Sequence, residues 1–196
     1  DYTITEAGFG ADLGAEKFLN IKCRKANIKP DAVVCVATIK ALKYHGGAPK
    51  EKIQEENMTC LEKGMSNLYR HIDNLKKKFG LNVIVAINRY TQDTDKEIEF
   101  LRQKLNEKDV ELSLVEGWAK GGEGAIDIAE KLVKLVEKKG NFKYIYDLEQ
   151  PIKTKIKEVA TRIYGAKDVE YSEEALDEIK RIEELGYGNL PVCIAK

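Results

Sequence analysis

The stretch "GLNVIVAINRYTQDTDKEIEFLRQKL" (residues 80–105) decides the fold class, because it joins two different hydrophobic periods. Its first part, "LNVIVAIN" (81–88), is a nearly continuous apolar run, which is typical of a strand buried on both faces of a parallel sheet. Thr94 stands three residues before Glu97, the signature of a capping box, and apolar residues then recur at helical spacing as far as Leu105. The stretch therefore predicts a buried strand, a polar loop and an amphipathic helix.

The same alternation extends to both sides of this stretch. "DAVVCVATIK" (31–40) and "VELSLVE" (110–116) are two further predicted strands, and an apolar helical stripe runs from Leu61 to Phe79. Further helices are expected after the glycines at 121–124, from Pro151, and from Ser172 to Gly186. Because strands and helices alternate, the sequence predicts an α/β fold with a mainly parallel sheet and helices on both faces.

The two ends of the chain coincide with further predicted strands, "DYTITE" (1–6) and "LPVCIA" (190–195), and the first methionine is Met58. We therefore expect the chain to be excised from a longer polypeptide. Within it, residues 1–150 are expected to form an α/β parallel-sheet domain that carries the loops of the site. Residues 151–196 are expected to add a helical segment and a closing strand packed on the same core.

The composition excludes several classes of protein. The chain is 43% hydrophobic and 34% charged, which indicates a globular protein. Lys plus Arg and Asp plus Glu both number 33, so no net charge draws the chain to nucleic acid or to a membrane. The four cysteines are far apart, and there are two histidines, so we expect no metal site and no disulfide framework. Reduced thiols indicate a cytoplasmic protein.

Four polar or glycine-rich loops follow the predicted strands. In open parallel sheets, ligands bind at the loops that leave the carboxyl ends of the strands, so these loops are the candidate site. They are "EAGFGADLGAEK" (6–17), "KYHGG" (43–47), "NRYTQDTD" (88–95) and "GWAKGGEG" (117–124).

Most features of these loops leave a functional and a structural alternative open. Gly8 and Gly10 suggest a dinucleotide-binding turn, but Gly14 comes one residue too late for the G-x-G-x-x-G pattern. The glycines at 121–124 would let backbone amides approach an anion, or would simply form a turn. His45 would be an acid or base or would cap a turn, and we favour the turn because no carboxylate or nucleophile stands beside it.

Tyr90 and Trp118 are the exceptions. Each is an aromatic residue just past the end of a predicted buried strand, where neither strand propensity nor core packing requires one. Flat rings on neighbouring strand-end loops are suited to hold a flat ligand between them.

The stretch "VATIKALKYHGG" (36–47) resembles the signature of one known family, the formate–tetrahydrofolate ligases (10-formyltetrahydrofolate synthetases). The resemblance continues in the same order along the whole chain: "TEAGFGADLGAEKF" (5–18), "NLYRHIDNLKKKFGLNVIVAINRYTQDTD" (67–95), "WAKGGEGAIDIA" (118–129) and "YGNLPVCIAK" (187–196). Two positions depart from the family pattern, which commonly has arginine at Lys40 and phenylalanine-proline at Tyr90-Thr91.

The resemblance implies a reaction and a ligand. ATP, formate and tetrahydrofolate would give 10-formyltetrahydrofolate, ADP and phosphate through formyl phosphate, in one-carbon metabolism. The family holds the folate between two aromatic rings, which correspond to Tyr90 and Trp118. The residues expected to line the remainder of the site are Glu6, Gly8, Gly10, Asp12, Thr38, Lys40, Asn88, Lys120, Gly121 and Gly122.

The resemblance also implies what this chain lacks. The family has a phosphate-binding loop of the G-x-x-x-x-G-K-[ST] type, and no such run exists in this sequence. ATP with Mg is therefore expected as a co-substrate of the full enzyme, with no tightly bound cofactor in this chain and no catalytic residue assigned to it. The full enzyme is expected to be a homo-oligomer, and this fragment is expected to be inactive alone.

Two other functions remain as alternatives. The fold expected here is Rossmann-like and related to P-loop NTPases, so a nucleotide-binding, GTPase-like switch domain would share its architecture. A non-catalytic interaction module is the third possibility, since function does not follow from fold.

Overall fold

A computed structural model describes residues 1–194 of the chain. The strands are β1 (Ala32–Ala37), β2 (Asn82–Asn88) and β3 (Glu111–Val115). The α-helices are α1 (Gly14–Lys17), α2 (Cys23–Ala26), α3 (Ile39–His45), α4 (Met58–Asp73), α5 (Asp95–Asn106), α6 (Gly117–Lys120), α7 (Ile126–Val136), α8 (Ile152–Arg162) and α9 (Glu173–Glu184). Short π-helical segments cover Phe18–Lys22 and Asn74–Lys78, and 3₁₀ segments cover Lys50–Lys52 and Gly121–Ala125. None of the helices described is long and apolar enough to cross a membrane.

The three strands form one parallel sheet in the order β1–β2–β3, which confirms the predicted α/β class. Val33 of β1 is opposite Val83 of β2, and Asn88 at the end of β2 is opposite Val115 at the end of β3. Residues 83–87 of β2 are all buried, so both faces of the central strand are covered. The carboxyl ends of all three strands meet at one edge of this open sheet, which we call the carboxyl edge.

The longest helical stretch buries the stripe that the sequence predicted. Its members recur at helical spacing along α4 and the π-helical segment after it, and each is at most 2% exposed: Leu61, Met65, Leu68, Ile72, Leu75 and Phe79. Gly80 follows with a φ of +72°, a left-handed conformation that glycine adopts without strain and that ends the helix.

α3 and α4 approach each other closely because Gly46, which directly follows α3, and Gly64 of α4 lie at the contact. A Cβ built on Gly46 would lie 1.7 Å from the backbone oxygen of Cys60, and one built on Gly64 would lie 1.8 Å from the backbone oxygen of Leu42. Both distances are far below a van der Waals contact, so no larger residue fits at either position without backbone movement.

Three local expectations from the sequence are wrong. The predicted strand 31–40 ends at Ala37, because the Thr38 hydroxyl accepts the Ala41 N–H at 3.1 Å and begins α3, which therefore includes the first part of the expected "KYHGG" loop. Residues 1–10 are exposed and form no strand, since alternation alone does not supply a neighbouring backbone.

The third wrong expectation is the closing strand at residues 190–195. Residues 190–194 form none, while Ala195 lies outside the described residues. In this segment the Val192 N–H donates to the Tyr146 hydroxyl at 3.1 Å, and that hydroxyl donates to the Val192 carbonyl at 3.3 Å. The backbone groups that a strand would pair with a neighbour are therefore satisfied by a side chain.

The chain divides into two compact units, unit 1 (residues 1–29 and 142–196) and unit 2 (residues 30–141), which differs from the boundary expected after residue 150. Side chains explain why the two ends of the chain share unit 1. The Asn20 side chain accepts the Ile145 N–H at 3.2 Å, and the Arg24 guanidinium lies 3.8 Å from the centre of the Tyr144 ring. Buried Lys155 joins α8 to the last segment by donating to the Gly188 carbonyl at 2.6 Å.

Candidate functional site

The carboxyl edge of unit 2 brings together three of the segments expected from the sequence. β1 leads through Thr38 into α3 and Lys40, β2 ends at Asn88 and leads to Tyr90, and β3 leads to Trp118. The Arg89 N–H donates to the Val115 carbonyl at 3.1 Å, so the chain beyond β2 continues alongside the end of β3. The segments with Tyr90 and Trp118 therefore leave the sheet from neighbouring strands.

The loop after β2 is closed by Asp93. Its carboxylate accepts the Tyr90 N–H at 2.8 Å, and its own N–H donates to the Tyr90 carbonyl at 3.1 Å. Burial raises the pKa of the Asp93 carboxyl, and the hydrogen bond from Tyr90 opposes that rise. The Tyr90 backbone is thus fixed, whereas its side chain remains 46% exposed.

The Lys40 ammonium covers part of this exposed ring. Its Nζ lies 4.2 Å from the centre of the Tyr90 ring, within the range of a cation–π contact. The two departures from the family pattern, at Lys40 and at Tyr90, are therefore in contact with each other.

Trp118 lies in α6, a single helical turn whose start is held by backbone hydrogen bonds of Glu116. The Glu116 carbonyl accepts the N–H groups of Ala119 and Lys120, each at 2.9 Å, and the Glu116 N–H donates to Gly124 at 3.0 Å. A Cβ on Gly124 would lie 2.5 Å from the Glu116 backbone, so glycine is required there. The indole of Trp118 is 90% exposed, which excludes a role as core filler.

Four charged residues form a network that connects the loops of Tyr90 and Trp118. The Glu116 carboxylate lies 2.6 Å from Lys120 Nζ and 3.8 Å from Arg89 Nη1, while Arg89 Nη2 lies 2.9 Å from the Asp95 carboxylate. The hydrogen bond from Lys120 holds the pKa of the Glu116 carboxyl below its usual value, and the nearby Arg89 adds to this effect. The carboxylate therefore keeps the negative charge that bridges the two loops.

A buried ion pair joins α3, the helix that carries Lys40, to α5. Lys43 Nζ of α3 lies 2.9 Å from the Glu97 carboxylate of α5, and both side chains are almost completely buried. Glu97 also accepts the Thr94 N–H and the Asn57 N–H, each at 3.2 Å, so one carboxylate serves the first turns of α4 and α5. The predicted capping box is confirmed. Its link to Lys43 was missed, because Lys43 belonged to an expected loop.

The other residues expected to line the site fall into two groups. Thr38, Lys40, Asn88, Lys120, Gly121 and Gly122 belong to unit 2 and follow the ends of its strands, whereas Glu6, Gly8, Gly10 and Asp12 belong to unit 1. Gly121 has a φ of +57°, which glycine favours, and nothing lies within 4 Å of a Cβ built on Gly122. In unit 1, the Gly10 carbonyl accepts the Gly14 N–H at 2.7 Å and opens α1.

The other candidates for chemistry are structural in this geometry. His45 lies in the last turn of α3, where its Nδ1 is 2.8 Å from the Asn67 side-chain nitrogen of α4. Among residues 1–194, no group of three or more His, Cys, Asp and Glu side chains could hold a metal ion.

The chain is an α/β protein with an open parallel sheet, and aromatic and charged side chains lie at the carboxyl edge, where proteins of this class bind their ligands. A comparison with protein families narrows this class. The model of the formate–tetrahydrofolate ligase family matches residues 1–196. The chain belongs to this family, whose members are ATP-dependent ligases that act on formate and tetrahydrofolate.

Proposed function

We propose that this chain forms the folate-binding portion of a formate–tetrahydrofolate ligase, with Tyr90 and Trp118 as the two walls of the folate site. The observation that carries the proposal is the exposure of these rings, 46% for Tyr90 and 90% for Trp118, on loops that leave neighbouring parallel strands. Exposed aromatic rings at the edge of a parallel sheet where ligands bind are free to stack on a flat ligand. A pterin-type ring system has the flat shape that two such rings can hold.

Polar groups around the rings suit the edges of such a ligand. Asn88 is exposed at the end of β2 and carries both a donor and an acceptor. Nothing lies within 4 Å of a Cβ built on Gly121 or on Gly122, so a ligand can approach this backbone closely, and the Gly121 N–H itself donates to the Gly117 carbonyl. Thr38, Lys40 and Lys120 complete the proposed lining in unit 2.

The part of the reaction that we assign to this chain follows from the chemistry of phosphoryl transfer. ATP, with Mg, phosphorylates formate, and the resulting formyl phosphate donates its formyl group to tetrahydrofolate with release of phosphate. Charge stabilisation around the transferred phosphoryl group dominates such steps and requires a cradle of backbone amides and a lysine. This sequence contains no G-x-x-x-x-G-K-[ST] run, so we assign it the folate side of the reaction and no catalytic residue.

Trp118→Ala is expected to weaken the binding of a reduced folate about fivefold to thirtyfold. Stacking of a base on an aromatic side chain contributes about 1–3 kcal/mol, and we expect the lower half of that range because the two rings of the site are exposed. Titration calorimetry measures the affinity of both proteins. Thermal unfolding should be nearly unchanged, since the indole is exposed.

Tyr44→Ala is the matched control, because Tyr44 is 48% exposed in the last turn of α3 and is outside the proposed site. Its affinity for folate should equal that of the parent. In the parent, reduced folate should also quench or shift the emission of the single tryptophan. An unchanged emission at saturating ligand would contradict the proposal, and binding of a guanine nucleotide instead would favour the switch-domain alternative.

The chain alone is expected not to form 10-formyltetrahydrofolate from ATP, formate and tetrahydrofolate. The reason is the lack of a phosphate cradle in its sequence. A discontinuous assay of the product at long times, with a full-length ligase as the positive control, measures this. Turnover at a rate comparable to the full-length enzyme would refute the assignment of the chain to the folate side.

A further inference from the structure

Lys40 occupies a defined position over the Tyr90 ring. It lies in the first turn of α3, whose start is fixed by the hydrogen bond from the Ala41 N–H to the Thr38 hydroxyl at 3.1 Å. Its Nζ is 4.2 Å from the centre of the Tyr90 ring. Asp93 fixes the backbone of Tyr90, so the two partners of this contact are both anchored.

The charge of Lys40 acts on the Asp93 carboxylate, but the two groups form no direct ion pair. Within residues 1–194, Lys40 forms no ion pair, whereas Lys43, one turn later on α3, is paired with Glu97. An ammonium that forms no direct ion pair is held to an aromatic face by the ring quadrupole, which attracts a cation within about 6 Å of the centroid.

We infer that Lys40 is a positioning residue that covers one face of the Tyr90 ring and leaves the other face for the folate. This inference rests on the function proposed above. The order of the sheet supports it, because Lys40 follows β1 and Trp118 follows β3, on either side of the strand that leads to Tyr90. A ring with a cation on one face can stack on a ligand with its other face alone.

The contact also lowers the cost of binding. Tyr90 is 46% exposed, and an exposed aromatic side chain loses rotamer freedom when a ligand stacks on it. The Lys40 ammonium restricts the ring before the ligand arrives, so less freedom remains to be lost. The positive charge beside the ring additionally disfavours a cationic ligand, which makes Lys40 a determinant of specificity.

The contact can be tested without ligand by proton NMR. The Cε protons of Lys40 should resonate upfield of those of other lysines, because they lie over an aromatic ring. Tyr90→Leu should return them to the ordinary position, whereas Tyr90→Phe should not. A Lys40 resonance at the ordinary position in the parent protein would overturn the inference, whatever the protein binds.

The contribution to binding is measured by calorimetry with 5-formyltetrahydrofolate as the probe. Lys40→Met keeps the length of the side chain and removes the charge, and we expect it to weaken binding about twofold to fivefold. Lys40→Arg should restore affinity to within about twofold of the parent, since a guanidinium also stacks on an aromatic face. Thermal unfolding of each variant checks that the fold is retained.

A double-mutant cycle separates positioning from direct contact with the ligand. If Lys40 acts through the ring, Lys40→Met should cause no further loss in a Tyr90→Leu background. The same loss in both backgrounds would show a direct contact with folate and overturn the positioning role. Failure of the parent to bind the probe, with the Lys40 resonance still shifted, would instead overturn the proposed function and with it the role of Lys40 in binding.

Discussion

Glu97→Ala is expected to lower the free energy of unfolding by about 3–5 kcal/mol, the cost of breaking a buried ion pair. The side chains of Lys43 and Glu97 are 1% and 0% exposed, and their charged atoms lie 2.9 Å apart. Without the carboxylate, the Lys43 ammonium stays buried beside a neutral acceptor, the Glu55 carbonyl at 2.8 Å. The N–H groups of Asn57 and Thr94 lose their acceptor as well.

Chemical denaturation measures this loss, provided that the slope against denaturant is the same for both proteins. Glu99→Ala is the matched control on α5, because the Glu99 side chain is 75% exposed, and it should be nearly neutral. Lys43→Met combined with Glu97→Ala should recover part of the lost stability, since the second change removes the unpaired charge. The burial argument fails if Glu97→Ala is as stable as Glu99→Ala.

Gly46→Ala is the second change with a large expected effect, a loss of about 3 kcal/mol or more, at the upper end of what overpacking costs. The new Cβ would lie 1.7 Å from the Cys60 carbonyl oxygen and 2.6 Å from its carbon. Both are backbone atoms, so no side-chain rotation relieves the contact, and α3 must move away from α4. Because α3 also carries Lys40 and Lys43, reduced-folate affinity should fall together with stability.

Gly122→Ala is the control for this prediction, because nothing lies within 4 Å of its Cβ. Its melting temperature should be equal to that of the parent or slightly higher, since alanine lowers the entropy of the unfolded chain. If Gly46→Ala has the same melting temperature as Gly122→Ala, then α3 and α4 can separate at little cost in free energy, and the prediction is wrong.

The central sheet was predictable from the sequence because its strands are nearly continuous apolar runs. β2 is buried on both faces, and only a core strand needs such a run. The helix caps at Thr94 and Ser172 were predictable for a similar reason, since each hydroxyl accepts an N–H three residues later. These signals are local, and local hydrogen bonds do not depend on the remainder of the fold.

The errors arose where tertiary contacts decide the outcome. Residues 1–6 alternate like a strand, yet alternation does not show whether a partner backbone is present. Contacts such as that of Arg24 with Tyr144, which join the two ends of the chain in one compact unit, likewise have no local sequence signal.

The site shows the same division between local and tertiary information. Tyr90 and Trp118 were identifiable as aromatic residues at strand ends, and the structure finds both exposed at the carboxyl edge. The charges that hold their loops were not identifiable. Arg89 and Glu116 are 27 positions apart in sequence (116 − 89), and Lys43 is 54 positions from Glu97 (97 − 43). No sequence spacing indicates such pairs.

The exposure of Trp118 has a consequence for how this protein tolerates mutation. Its indole is 90% exposed, so almost none of the free energy of folding depends on it. Cellular proteases and chaperones act on the unfolded fraction of a protein. A chain without this indole should have the same unfolded fraction as the parent and should be degraded no faster. We expect such a variant to accumulate to normal abundance while binding reduced folate more weakly. A screen for folate binding should therefore detect a change at Trp118, whereas a screen for soluble expression should not.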